Sequence, residues 1–384
     1  MRNVLTALAI WAAGLGAAAQ FGKMSVIYAQ LGDIYPDHPG VGIGVMVSII
    51  GIIGLVFGTT AGMLVVRIGP RRSMLVALAL GAAVSLVQSL MLPYPLMLAL
   101  RVPEGISHLA IVVVGPTAIA ATASLRFQGM VMTLWGSFFG VSFATLAYFG
   151  PGLVAVHGPG LLFQAHAIWL VFCLAALWVL MPIDPNIIAP PKISLLAQHV
   201  ETYRSPRIAA PAMGFVCYTV TYVAMLTLLP GAIGAEWGHF AAVAMPLASI
   251  LVSLTFGVWL LGRMTAVLVV QAGFCAVILV SLGLWITWGQ GAATVIFACM
   301  VAASMGVVQG ASFASIPQLN LQPADRARAA GAIAQLGNLG TTTGTPALAL
   351  ILMQFGVTGM AVFLIAFSAL GIALHQWQAR RRAN

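Results

Sequence analysis

VGIGVMVSIIGIIGLVFGTTAGMLVVRIGPRR, residues 41–72, holds no charged side chain before Arg67 and then three, Arg67, Arg71 and Arg72, in quick succession. About 20 apolar residues cross a bilayer as one helix, so residues 41–66 read as a membrane span closing on a basic loop. Outward from this stretch the pattern repeats. Turn clusters, prolines, glycines and charges divide the chain into apolar segments near 4–31, 41–66, 73–92, 96–119, 129–152, 162–181, 207–230, 240–261, 265–288, 292–316, 329–353 and 357–377, which is twelve. Composition agrees: 61% of the 384 residues are hydrophobic and 6% charged, whereas a water-facing domain carries about a quarter charged residues. The predicted fold class is therefore an all-α membrane protein embedded in the lipid bilayer.

The charges give the topology. If the chain starts in the cytoplasm, Arg2, Arg67, Arg71, Arg72, Arg126, Lys192, Arg204, Arg207, Arg263, Arg326, Arg328, Arg380, Arg381 and Arg382 fall on one side, while Asp33, Asp37 and Glu236 fall on the other. Cytoplasmic loops carry the excess of Lys and Arg, so both termini are expected in the cytoplasm of a bacterial-type cell, with the chain in its inner membrane. Met1-Arg2-Asn3 and Ala17-Ala18-Ala19 carry marks of a cleaved signal peptide, but the apolar run continues to Leu31, and removal would leave eleven spans; an uncleaved first helix is expected. The net charge of +9 is scattered between apolar runs, not gathered beside aromatics, so nucleic acid is not an expected partner.

One long polar connection, about Pro182 to Arg207 with Asp184, Pro185, Pro190, Pro191, Lys192 and Glu201, separates six spans from six. The expected organisation is a six-helix bundle over 1–182, a linker over 183–206 and a second bundle over 207–384. The halves echo each other: Pro116, Arg126, Gly129 and Gly136 to Gly140 recur as Pro317, Arg328, Gly331 and Gly337 to Gly340. Internal repeats of this kind build secondary transporters, with the site at the repeat interface.

The segment Gly62-Met63-Leu64-Val65-Val66-Arg67-Ile68-Gly69-Pro70-Arg71-Arg72 resembles the G-x-L-x-D-R-x-G-R-R loop of major facilitator transporters, with Val66 where that family has Asp. Arg101-Val102-Pro103-Glu104-Gly105 resembles the family's R-x-x-x-G element, and Gly257, Leu260, Gly262 and Arg263 are a remnant of the loop in the second half. The resemblance implies twelve helices as two pseudo-repeated bundles, alternating access, a monomer, and a gating role for Gly62, Arg67, Gly69, Arg71 and Arg72. Gly105 to Gly140 is similar to proteobacterial cyanate-porter-like, riboflavin and copper-import branches. The copper importers carry M-x-x-x-M and H-x-x-x-M pairs in spans seven and eight, to which Met213-x-x-x-Cys217 and Ala241-x-x-x-Met245 correspond here. Soft thioether and thiol ligands suit Cu(I), so Met213, Cys217 and Met245 are the metal candidates, against the plain reading of Met as gap-filler.

Ionisable side chains inside a bilayer cost about 2.5–3.5 kcal/mol each on insertion scales, so each needs a partner or a wet cavity. Span one carries Gln20 and Lys23; span four carries Arg101, Glu104 and His108, spaced i, i+3 and i+7 on one helical face. At a rise of about 1.5 Å per residue, Lys23, Arg101 and Glu104 lie at similar depths. The functional reading is a cavity that attracts an anionic group and exchanges a proton through Glu104; the bland one is a structural ion pair, with His108 a neutral, hydrogen-bonded ring. The second half offers no charge on its candidate faces, only Tyr218, Tyr222 and Met225, then Gln309 and Ser312, then Gln335, Asn338 and Thr342. A charged half facing an aromatic, amide-rich half suits a small organic solute with one charged end, although each polar group taken singly also serves as helix glue. Gly54, Gly58 and Gly62, Gly136 and Gly140, and Gly340 and Gly344 are small-x-x-x-small faces expected at the contact between halves.

No G-x-S-x-G or H-E-x-x-H is present, and the four cysteines lack C-x-x-C spacing, so neither an enzyme nor a resident cofactor is expected. The expected function is a secondary or facilitated transporter of a small organic solute, with protons as the coupling ion if it is active; the alternatives are a copper importer and a drug or metabolite exporter.

Overall fold

The computed structural model describes residues 2–124, 128–184 and 194–383, and every regular element among them is helical. Hydrocarbon offers backbone N–H and C=O groups no water, and a helix satisfies them within its own segment. Arg126, Lys192, Pro185, Pro190 and Pro191 lie outside the described residues.

Ten helices each provide one span: Arg2–Ser25, Val41–Ala61, Pro70–Gln88, Tyr94–Ala121, Leu134–His157, Pro159–Leu180, Ala209–Ile233, Ala235–Leu261, Ala266–Ile286 and Ala292–Leu319. An eleventh, Arg328–Ala383, is 56 residues long, far beyond one bilayer crossing. It turns at Gly356, whose φ of 56° and ψ of −146° are open to a residue without Cβ, and so supplies spans eleven and twelve. The twelve spans read from the sequence are all present, and both ends of the chain fall on one side.

Three of the spans depart from regular helix. Span two is built as Val41–Ser48, a 3₁₀ turn at Ile49–Gly51 and Ile52–Ile68. Span five follows a break at Ser137 between Gln128–Gly136 and Phe138–His157. Span eight contains a π-helical turn at Ser253–Gly257, a local widening and under-winding of the helix of a kind that is frequent at functional sites.

Buried apolar residues form two clusters drawn only from the first six spans and one large cluster from the last six, into which only Phe21, Ile50 and Phe143 of the first six intrude. The contact between the two sets is a seam of glycines. Span two runs antiparallel to span eleven, with Gly44 against Pro346, Gly51 against Thr342, Gly54 against Asn338, and Gly58 so close to Gln335 that a Cβ there would lie 2.7 Å from its Cα. On the other flank Gly140 of span five meets Ile250 of span eight. Gly340 and Gly344 differ from expectation: they press on Thr219 and Val220 of span seven, inside the last six spans, and Gly136 faces open space. The reason is that span eleven offers its small face to span seven while span two brings its own glycines to the amide-bearing face.

Beside this seam, on the side of the termini, lies the helix Leu195–Arg204. Its His199 sits within hydrogen-bond distance of Thr59 Oγ1 (3.0 Å) and Gln335 Nε2 (2.9 Å), and Tyr203 Oη donates to Gln335 Oε1 (2.7 Å). Burial pushes the Tyr203 phenol above its ordinary value.

Candidate functional site

Four spans of the first half converge on one buried ionic network. Lys23 of span one pairs with Glu104 of span four, Nζ to Oε1 at 2.7 Å, and Arg101 Nη1 donates to Glu104 Oε2; all three side chains are 0% exposed. The i, i+3 spacing of Arg101 and Glu104 puts both on one face of span four, as the sequence requires. Span three supplies Gln88, whose Oε1 accepts from Lys23 Nζ (2.8 Å) while its Nε2 donates to Glu104 Oε2 (2.8 Å), and Ser85, which also accepts from Lys23 (2.8 Å). Span six supplies His166. Its Nε2 faces the carbonyl of Gly16 (2.9 Å) and therefore carries the proton, which leaves Nδ1 to accept from Lys23 Nζ (3.3 Å). Nζ also lies over the Phe163 ring, 4.9 Å from its centroid.

Arg101 differs in kind from Lys23. Its Nε and Nη2 donate to the carbonyls of Met46 and Val47 (2.9 and 2.8 Å), where span two enters its 3₁₀ turn, and Nη1 also reaches Gln20 O (2.8 Å). The guanidinium thus spends most of its donors on backbone of spans one and two. Gly105, next to Glu104, lets span four approach that turn closely, since a Cβ there would strike the carbonyl of Ile50. His108 stands apart from the carboxylate: Nδ1 faces Ala17 O (3.1 Å) and the ring meets Phe21 edge-on, 5.1 Å between centroids. Formally the network holds two cations and one carboxylate, a buried excess of positive charge. Isolated burial of such a charge is strongly unfavourable, and the hydrogen bonds on Lys23 and Arg101 are what offset it.

His166, Ser85 and Gln88 were not among the residues singled out in the sequence. For His166 the signal existed, since an ionisable ring inside an apolar run is itself a pointer.

The candidate residues of the second half do not join this network. Tyr218 and Tyr222 stack with ring centroids 5.0 Å apart and are 2% and 1% exposed, within the large apolar cluster. Gln309 of span ten is partly buried. Gln335 and Asn338 lie in the glycine seam: Gln335 Nε2 donates to Leu55 O (2.8 Å), and Asn338 Nδ2 turns back to Ala334 O (2.7 Å). A direct tie between the halves is Thr227 Oγ1 to Ser25 Oγ (3.0 Å), between spans seven and one.

In the loop between spans two and three, Gly69 adopts φ 99°, a left-handed turn that a side chain would strain, and Pro70 opens span three. Asp184, just past span six, fills the space beside Gly69 and accepts from the backbone N–H of Arg71 (2.9 Å) and Arg72 (3.0 Å), capping span three. Arg71 Nη2 donates to Trp178 O (2.6 Å) and its guanidinium stacks over the Trp178 ring. These contacts tie the loop to span six of its own half. Gly62 and Arg67 lie on the helix Ile52–Ile68, Arg67 exposed.

Of the metal candidates, Met213 accepts through Sδ from Gln378 Nε2 of span twelve, while Cys217 and Met245 are buried in the apolar cluster of the last six spans. Among the described residues no group of three or more His, Cys, Asp or Glu side chains converges.

The structure is similar over nearly its whole length to two solved transporters. The Escherichia coli fucose:proton symporter FucP aligns with a TM-score of 0.70 at 13% identity, covering 97% of this chain and 98% of its own. The human organic anion transporter MFSD10 aligns with a TM-score of 0.73 at 15% identity, covering 98% and 99%. At such identities the likeness shows the fold alone. No curated protein matches the sequence. The sequence profile of the Major Facilitator Superfamily matches residues 6–345, most of the chain, and this multi-pass membrane protein, a solute transporter and not an enzyme, belongs to that superfamily.

Proposed function

We propose that the chain is a secondary transporter moving a small organic solute with one anionic group by alternating access, working as a monomer in a bacterial-type inner membrane with both termini in the cytoplasm. The observation that carries this reading is the buried excess cation of Lys23, Arg101 and Glu104. A low-dielectric interior with one unneutralised positive charge favours an anion. Lys23 is the solute's partner, because Arg101 is committed to backbone carbonyls. An arriving carboxylate or phosphate competes with Glu104 for Lys23; the displaced carboxylate then takes up a proton, which couples solute entry to proton entry. The bundles 1–182 and 207–384, joined by the linker 183–206, rock about the glycine seam, and Tyr218 and Tyr222 stack on the solute's body. The names of the two structural neighbours, a sugar:proton symporter and an organic anion transporter, point to the same class.

The test is solute accumulation in cells lacking or overproducing the protein, with radiolabelled organic anions, flavins and copper. Organic-anion uptake that is abolished by Lys23→Ala and Glu104→Gln and spared by Met213→Ala is the expected result. Copper uptake that depends on Met213 would overturn it, and lowered accumulation on overproduction would reverse the direction of flux.

A further inference from the structure

On the side of the membrane that holds both termini, the ends of spans nine, ten and twelve enclose a groove of about 540 Å³. Leu268 and Leu319 line it with hydrocarbon, and Gln271, Gln318, Arg380 and Arg382 line it with donors. Leu268 is 50% exposed, so the groove opens sideways toward lipid as well as toward the basic end. Gln318 Oε1 already accepts from the backbone N–H of Ala266 (2.8 Å), which leaves its Nε2 hydrogens to donate.

Among the described residues the surroundings are basic and unneutralised. Arg381 Nη2 donates to Arg204 O (2.8 Å) and Arg382 Nη1 to Pro206 O (3.0 Å), bringing the chain end against the start of span seven, where Arg207 acts on Arg382 as a like charge. Ion pairs among the described residues involve only Glu104 and Glu201, so Arg204, Arg207, Arg380, Arg381 and Arg382 have no carboxylate partner. Like charges held together repel, and an anion between them removes the repulsion.

We propose that this groove binds one anionic glycerophospholipid of the adjacent leaflet, its phosphate on Arg380 and Arg382 and an acyl chain along Leu268 and Leu319. Guanidinium forks match phosphate oxygens in pairs, and the aliphatic wall distinguishes a lipid from a free phosphate, which would leave that wall wet. Basic pockets between helix ends on one leaflet are the form that anionic headgroup sites take. The groove is lined by ends of spans nine, ten and twelve and shares no residue with the network of Lys23 and Glu104, so its occupancy is read without reference to any solute.

The purified full chain in nanodiscs of phosphatidylcholine with and without phosphatidylglycerol, followed by thermal unfolding and by mass spectrometry of retained lipid, tests the assignment. One phosphatidylglycerol retained per chain and a melting temperature raised only in its presence are expected. The pair Arg380→Gln with Arg382→Gln should weaken retention roughly thirtyfold, the factor expected for two basic contacts at an anionic surface. Leu268→Trp, which fills the groove and keeps every charge, should weaken it as well, and serves if the double variant does not fold. Arg263→Gln, on the same side but outside the groove, should change nothing. Equal retention by wild type, the double variant and Leu268→Trp overturns the site; displacement of the lipid by inorganic phosphate alone overturns its identity as a lipid site.

Discussion

The first six spans bury a lysine, an arginine, a glutamate and two histidines that are hydrogen-bonded to one another or to backbone, whereas the last six bury stacked tyrosines, scattered hydroxyls and one histidine, His375, with neither ring nitrogen bonded. The difference follows from physics that the halves share. In low dielectric a charge is tolerable only inside a completed network, so charge collects where four helices can each contribute a partner. Uncharged polar groups need less and can be spread out. The pseudo-repeated halves therefore diverge in their interiors: one holds a completed ionic network, the other uncharged polar groups among apolar side chains.

The largest test of this contrast is Glu104→Gln, which leaves Lys23 and Arg101 as two buried cations without a carboxylate. A loss of about 3–5 kcal/mol in unfolding free energy is expected for a broken buried pair. Adding Lys23→Met to Glu104→Gln removes one of the two stranded cations and should recover part of that loss while leaving transport absent; equal damage from single and double changes would show that packing, not charge, holds the four spans together. Gly58→Leu comes next. Its side chain meets the Gln335 backbone, so it should cost about 1–3 kcal/mol and arrest transport, while Gly136→Leu, in open space, should leave unfolding and uptake near wild type. Asp184→Ala removes the cap of span three and should lower stability by about 0.5–2 kcal/mol, with Asp184→Asn retaining most of it, measured by thermal unfolding. The smallest effect belongs to Tyr218→Phe, in the half without charge: about 1 kcal/mol or less in stability and a change in solute affinity read as a shift in KM for uptake. An effect as large as that of Glu104→Gln would abolish the distinction between the halves.

Part of the site was legible in advance. Arg101, Glu104 and His108 share a face by spacing, and the depths of Lys23 and Glu104 matched, so their pairing followed from adjacency of spans one and four. Asp184 was visible only as part of a polar linker, yet it supplies the carboxylate at the loop whose position Val66 leaves apolar. Gln335 and Asn338 read as cavity amides because they recur at helical spacing, and they prove to be the residues on which the glycines of span two rest.

The sequence by itself determined the solvent and the twelve spans, because both are set by local composition: a bilayer requires a fixed length of apolar helix. Tertiary structure alone decided which partners meet. Lys23 and His166 stand 143 positions apart, and Arg71 and Asp184 113 apart. Contacts of that kind arise from how helices pack, and along one helix a residue's own neighbours say only which face it shares, never what lies across from that face.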